Sequence, residues 1–150
     1  MGEYVGKFWQ RKEFACSCGC NTGEIHPKLV ELADLVRENI GVPLTSTSGI
    51  RCKTRNAAVG GAENSLHIPS GSCQFGHAGD FTFYSPILRQ KLNILHLYYL
   101  FESHGREFGA LGLGLYNSWV HVDVRGAGLG LASGRWSESF DWPYLRRHPI

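Results

Sequence analysis

Residues 49–79 are dense in Gly, Ser, Asn and Pro, and that stretch limits the possible folds of this chain more than any other. A segment so rich in turn residues reads as one long loop, and a loop of that length in a compact domain is typically functional. The elements on either side must carry it. Before it, HPKLVELADLVRENIG places Leu29, Leu32, Ala33, Val36 and Ile40 at helical spacing, with Pro27 in the first turn and Gly41 at the C-cap. A helix is expected over 27–40, and the β-branched VPLTSTS, 42–48, as a short strand. After the loop, Ser85 and Pro86 open a second helical segment that ends at Gly105, with Leu88, Leu92, Leu95 and Tyr99 along one stripe. ALGLGLY and WVHVDV then alternate with period two on either side of Asn117-Ser118, a pattern that reads as a hairpin.

The expected class is α+β: a small antiparallel sheet, two main helices and a long active-site loop in a single domain over residues 1–150. Residues 1–13 form a lead segment, and the end of the chain, GRWSESFDWPYLRRHPI, reads as irregular, with a tail over 137–150 and aromatic anchors at Trp136, Phe140 and Trp142. A chain of 150 residues, 43% hydrophobic, can bury a core without disulfides, and 19 Gly with 6 Pro suit turns and short strands better than a helical bundle. The formal charge of +2 comes from 15 basic and 13 acidic residues scattered along the chain, which argues against a nucleic-acid-coating role. No apolar run reaches the roughly 18 residues of a membrane span, and MGEYVGKFWQRKEF has no apolar signal-peptide core. Gly6 stands where myristoylation wants Ser or Thr. The expectation is a monomer made in the cytoplasm, without membrane or nucleic-acid partners.

Strand alternation in WVHVDV puts Trp119, His121 and Asp123 on one face and Val120, Val122 and Val124 on the other. The long loop adds His67, His77 and Asp80, potential metal ligands among small residues. A catalytic zinc takes three protein ligands, His or carboxylate, and keeps one position open; His67, Asp80 and His121 would supply such a set. The chain has no HExxH helix signature.

Taken in order, SGIR (48–51), RNAAVGGAENSLH (55–67), GHAGD (76–80), GLGLYNSWVHVDVR (112–125) and RW (135–136) resemble the motifs of the zinc D-alanyl-D-alanine carboxypeptidase family of peptidoglycan peptidases, in its compact bacterial and phage branch. The resemblance runs from about Phe14 to Trp136. It implies a catalytic zinc held by His67 of SxH, Asp80 of GxAxD and His121 of HxD. It also implies that Arg51 of SGxR binds a substrate carboxylate or the developing oxyanion, and that Ser65 contacts substrate, while Trp119 could wall the cleft. The substrate implied is the peptide stem of peptidoglycan, cut by a carboxypeptidase or an endopeptidase, as in a phage lysis enzyme or a virion-associated wall hydrolase that reaches the wall after release or injection.

The sequence departs from the family pattern in two places. Relatives in other branches carry an acidic base just upstream of the last His ligand, where this chain has Tyr116-Asn117-Ser118-Trp119. That leaves Asp123 either as the base or as a partner that orients His121. The gap between His67 and Asp80 is also longer than in the family, with IPSGSCQFGH inserted, so His77 could compete with His67 or donate a proton, and the insertion could remodel the cleft. The missing acid and the insertion keep a second function open: a non-catalytic, zinc-containing wall-binding or virion structural module.

The five Cys are an odd number and argue against an obligatory disulfide framework. FACSCGC lacks the C-x2-C knuckle spacing of a structural zinc site, so the cluster reads first as buried thiols bracing the N-terminal segment against the SGIRC loop, or as a disulfide formed after release. A second, structural zinc on Cys16, Cys18, Cys20 and Cys52 is the lesser alternative.

Overall fold

The computed structural model describes residues 3–137. Helix α1 (Pro27–Ile40) forms as its sequence predicts, with Pro27 in the first turn and Gly41 left-handed at φ 72°. His26 caps its start, its Nδ1 accepting the Lys28 N–H at 3.1 Å. Strand β1 (Glu24–Ile25) precedes α1, and β2 (Leu44–Ser48) follows it. The loop over 49–79 carries regular structure that its composition concealed: a short helix α2 (Lys53–Ala58) and a strand β3 (Phe75–Gly76), which pairs in parallel with β1. Strand β4 (Ala78–Phe83) runs out of the loop and is buried along its whole length.

The second helical segment is two helices, α3 (Pro86–Lys91) and α4 (Ile94–Gly105). The apolar stripe continues across the break. Leu92 is extended, and Asn93 caps a new helix by accepting the Leu95 N–H at 2.9 Å. The predicted hairpin forms from β5 (Gly112–Leu115) and β6 (Val120–Asp123), closed by Tyr116 N–H donating to the Trp119 carbonyl at 3.1 Å. The expected irregular end begins instead with a strand, β7 (Gly134–Ser137). Phe140 and Trp142 lie outside the described residues.

The main sheet has five strands in the order β2-β4-β6-β5-β7 and is mixed, since β7 lies parallel to β5 while the other pairs are antiparallel. Helices α1 and α4 pack together, and α4 lies against β5 and β6. Between them sit Leu29, Leu32, Val36, Leu97 and Phe101 from the helices, with Phe81, Leu113, Val120 and Val122 from the strands. The lead segment belongs to this core. Trp9 is fully buried, 5.3 Å from Phe14 and 5.6 Å from Phe81 between ring centroids, and Phe81 continues to Phe101 at 5.1 Å. Such aromatic pairs add about 0.5–1.5 kcal/mol each beyond their buried area. Asp34 of α1 holds the segment down by accepting the N–H groups of Lys7 and Phe8 at 2.7 and 3.0 Å.

Register fixes the opposite face of the sheet. Ser48 pairs with Asp80, Asp80 with His121, His121 with Gly114, and Gly114 with Trp136, a single row crossing all five strands. The next row sets Ala78, Asp123, Gly112 and Gly134 side by side. Cross-strand partners point the same way, so residues 41 positions apart become immediate neighbours.

Candidate metal centre

The first row sets Asp80 beside His121, and a turn of the long loop brings His67 to them. One ligand atom from each of His67, Asp80 and His121 lies within 4.8 Å of the other two. Asp80 Oδ1 stands 3.4 Å from His67 Nε2 and 3.1 Å from His121 Nδ1. Donors about 2.0–2.1 Å from a tetrahedral zinc are separated by roughly 3.3–3.4 Å, so these spacings suit a shared ion. All three side chains are nearly withdrawn from solvent, His121 the least.

Each imidazole is fixed through the nitrogen it turns away from Asp80. His67 Nδ1 donates to the Gly49 carbonyl at 2.6 Å; a carbonyl only accepts, so the lone pair of this ring is on Nε2. The turn presenting His67 is closed by its own N–H, which donates to Ser65 Oγ at 3.2 Å. On the other ring, His121 Nε2 meets Asp123 Oδ2 at 2.8 Å. Two imidazoles and a carboxylate, each imidazole backed by an acceptor, form the donor set and outer shell of a three-ligand zinc site with an open position. The residues present fit the ion.

The carboxylates are strongly biased toward their ionised forms. Burial alone would raise the pKa of Asp80, but hydrogen bonds from His121 and His67 hold it far below the usual carboxylate range. Burial likewise opposes ionisation of Asp123, and the Arg125 and His121 hydrogen bonds outweigh it, lowering that carboxyl to about 2. For His121, burial pulls the pKa down, and the bonds to Asp123 and Asp80 together carry it above its ordinary value.

Asp123 is 1% exposed and its acceptor positions are taken. Oδ1 accepts from Arg125 Nε at 2.8 Å and from the Gly112 N–H at 3.1 Å, while Oδ2 accepts from Arg125 Nη2 at 2.9 Å and faces His121. Arg51 commits three of its five N–H groups: Nε donates to Ser48 Oγ at 2.9 Å, Nη1 to Asn56 Oδ1 at 3.2 Å and Nη2 to Asp80 Oδ2 at 3.3 Å. Neither Arg125 nor Asn56 had been singled out from the sequence. Arg125 continues the two-residue alternation from His121 and Asp123, which was the available signal.

The donors open into a cleft of about 490 Å³. Ser65, Tyr116, Trp119 and Trp136 line it together with Arg51 and the ligand set. Tyr116 stacks on Trp119 at 4.5 Å and 10°, and its hydroxyl accepts Trp136 Nε1–H at 3.1 Å. Trp136 also packs beside His121, with ring centroids 5.0 Å apart. Among the described lining residues, Asp80 and Asp123 are the only carboxylates. The groove continues past Arg51, Asp80 and Trp119 into a second hollow of about 590 Å³, where Lys12, Arg55 and Arg89 add positive charge.

His77 does not join the cluster. It lies between β3 and β4, buried, and its ring packs 5.0 Å from that of His26 at the start of α1. The residues before it form a turn bridged between Ser70 and Phe75, which leads into β3. Pro69 lies against Gly23, and no residue of this turn lines the cleft.

A family model described as Peptidase M15 matches residues 7–123, which include all three donors. The chain belongs to the M15 peptidase family. This family comprises zinc D-Ala-D-Ala carboxypeptidase-like metallopeptidases of peptidoglycan, and the buried His-Asp-His group is where this M15 peptidase could hold its metal. A search of curated proteins finds no match. Among the described residues of the M15 peptidase, no helix is long and apolar enough to cross a membrane.

Proposed function

We propose that this chain hydrolyses amide bonds in the peptide stems of peptidoglycan, with zinc on His67, Asp80 and His121. The observation that carries the proposal is the convergence of these three donors in the wall of a cleft that Tyr116, Trp119 and Trp136 also line. When bound, zinc polarises a scissile carbonyl and makes water a nucleophile near neutral pH.

The chain's own residues prepare that chemistry. Gly49 and Asp123 orient the two imidazoles, and Arg51 steadies Asp80 through the oxygen that does not face them. Asp123 acts by positioning His121: with Arg125, Gly112 and His121 on its oxygens, it has no free lone pair with which to take a proton. Trp119 and Trp136 offer flat apolar walls to the short aliphatic side chains of a stem, Ser65 a hydroxyl, and Lys12, Arg55 and Arg89 a positive run for its carboxylates.

The absence of an unengaged acid among the described lining residues supports a second reading, a zinc-containing wall-binding module without turnover. Incubating the zinc-loaded protein with purified cell-wall material and analysing the muropeptides by mass spectrometry decides between them. Released D-Ala identifies a carboxypeptidase and shortened stems or split cross-links an endopeptidase. Unchanged muropeptides with zinc bound identify the module.

A further inference from the structure

The fold gathers a second donor cluster apart from the cleft. Cys16, Cys18 and Cys20 come from the segment before β1, and Cys52 from the start of α2; one sulfur from each lies within 4.8 Å of all the others. The spacing separates the possible causes. Cys16 and Cys18 sulfurs are 3.4 Å apart, and those of Cys18 and Cys52 3.7 Å. A disulfide requires about 2.05 Å. Four thiolates about 2.3 Å from a tetrahedral zinc stand roughly 3.8 Å from one another.

The backbone is shaped to the same end. Gly19 adopts φ 80° and donates its N–H to the Cys16 carbonyl at 3.0 Å, a tight turn that lets alternate cysteines converge without a C-x2-C knuckle. Two sulfurs accept backbone N–H groups, Cys16 from Cys52 at 3.5 Å and Cys52 from Arg55 at 3.3 Å, contacts that fix where these sulfurs point. Cys18 and Cys20 are exposed, where hydrophobic burial gives no reason for thiols to gather.

We infer that Cys16, Cys18, Cys20 and Cys52 bind a second, structural zinc ion. Its place explains its use. The strap carrying these cysteines also docks on the SGIR segment, with the Ile50 N–H donating to the Phe14 carbonyl at 2.7 Å, and a Cβ on Gly49 would meet that carbonyl oxygen at 2.5 Å. The ion clamps the strap to the segment whose Gly49 carbonyl orients His67 and whose Arg51 steadies Asp80.

Metal analysis with cobalt spectroscopy tests this independently of hydrolysis, because the cleft site offers no sulfur ligand. Protein prepared under reducing conditions should carry about two zinc ions per chain. Its cobalt-substituted form should show intense near-ultraviolet sulfur-to-cobalt charge-transfer absorption. The pair Cys18→Ser and Cys20→Ser should abolish that absorption and release about one zinc, whereas His121→Ala should release the other and leave it intact. Cobalt protein without the charge-transfer absorption overturns the inference, as does its persistence at full intensity in the double variant. Should the double variant fail to fold, the wild-type spectrum decides alone.

Discussion

Asp123 meets His121 Nε2 at 2.8 Å while Arg125 grips both oxygens of the same carboxylate, so a buried anion holds the ring of a metal-ligand candidate from behind. Of the two roles the sequence leaves to Asp123, base or partner orienting His121, these hydrogen bonds favour the second.

Replacing Asp123 with Asn separates the two roles. The amide keeps its shape but loses the charge facing the imidazole, so zinc affinity should fall about 10- to 100-fold, as for other outer-shell partners. Chelator competition measures it. A base would give unchanged affinity with collapsed kcat.

His67→Ala should empty the cleft site of metal, since its Nε2 is the donor facing Asp80. His77→Ala should leave zinc content unchanged, because that ring packs on His26. Zinc stoichiometry of the two variants, referred to the parent protein, provides the check.

Gly112→Ala tests the close packing behind the centre. A Cβ there would collide with Asp123 Oδ2 and with Nη2 of Arg125. Overpacking of this kind costs about 1–3 kcal/mol, and here it also pries apart the carboxylate–guanidinium pair. A lowered Tm together with weakened zinc binding is the expected result; loss of Tm alone would mean that the pair re-forms.

Stability should decline as pH falls below about 6.5. Burial lowers the pKa of both His26 and His77, with their mutual proximity adding to it for His26 and partly opposed for His77 by backbone hydrogen bonds and the Asp123 charge. The unfolded chain then binds protons that the folded one refuses, so acid favours unfolding from the ordinary imidazole pKa downward. Denaturant midpoints of the parent and His77→Phe between about pH 8 and about pH 5 should show a shallower decline in the variant.

The parts legible in the sequence are those specified locally. Helix α1 declares itself through its period, Pro27 and Gly41, and β6 through alternation that sends Val120 and Val122 inward while His121 faces the cleft. The break at Leu92 was hidden because the helical stripe runs straight across it, leaving Asn93 as the sole local signal. Strand β7 is half-buried throughout and forms through parallel pairing with a strand some twenty residues earlier, information that no short window contains. At the centre, the donors could be read from their types. The engagement of Asp123 and Arg51 could not, since it depends on which of their oxygens and nitrogens are already taken.

The row from Ser48 to Trp136 has a consequence for how such a chain can change. Its members are aligned by ladder hydrogen bonds between backbones, which set no requirement on the length of chain joining one strand to the next. Doubling a connection adds only about 0.6 kcal/mol of closure entropy. The turn around Pro69 and Gly71 lies in such a connection, and Asp80 stands opposite His121 beyond it. Two of the three donor candidates, Asp80 and His121, are thus held by the sheet whatever the loops do, whereas His67 rides on a turn: the connections around it can vary only as far as they keep that turn docked on the Gly49 carbonyl.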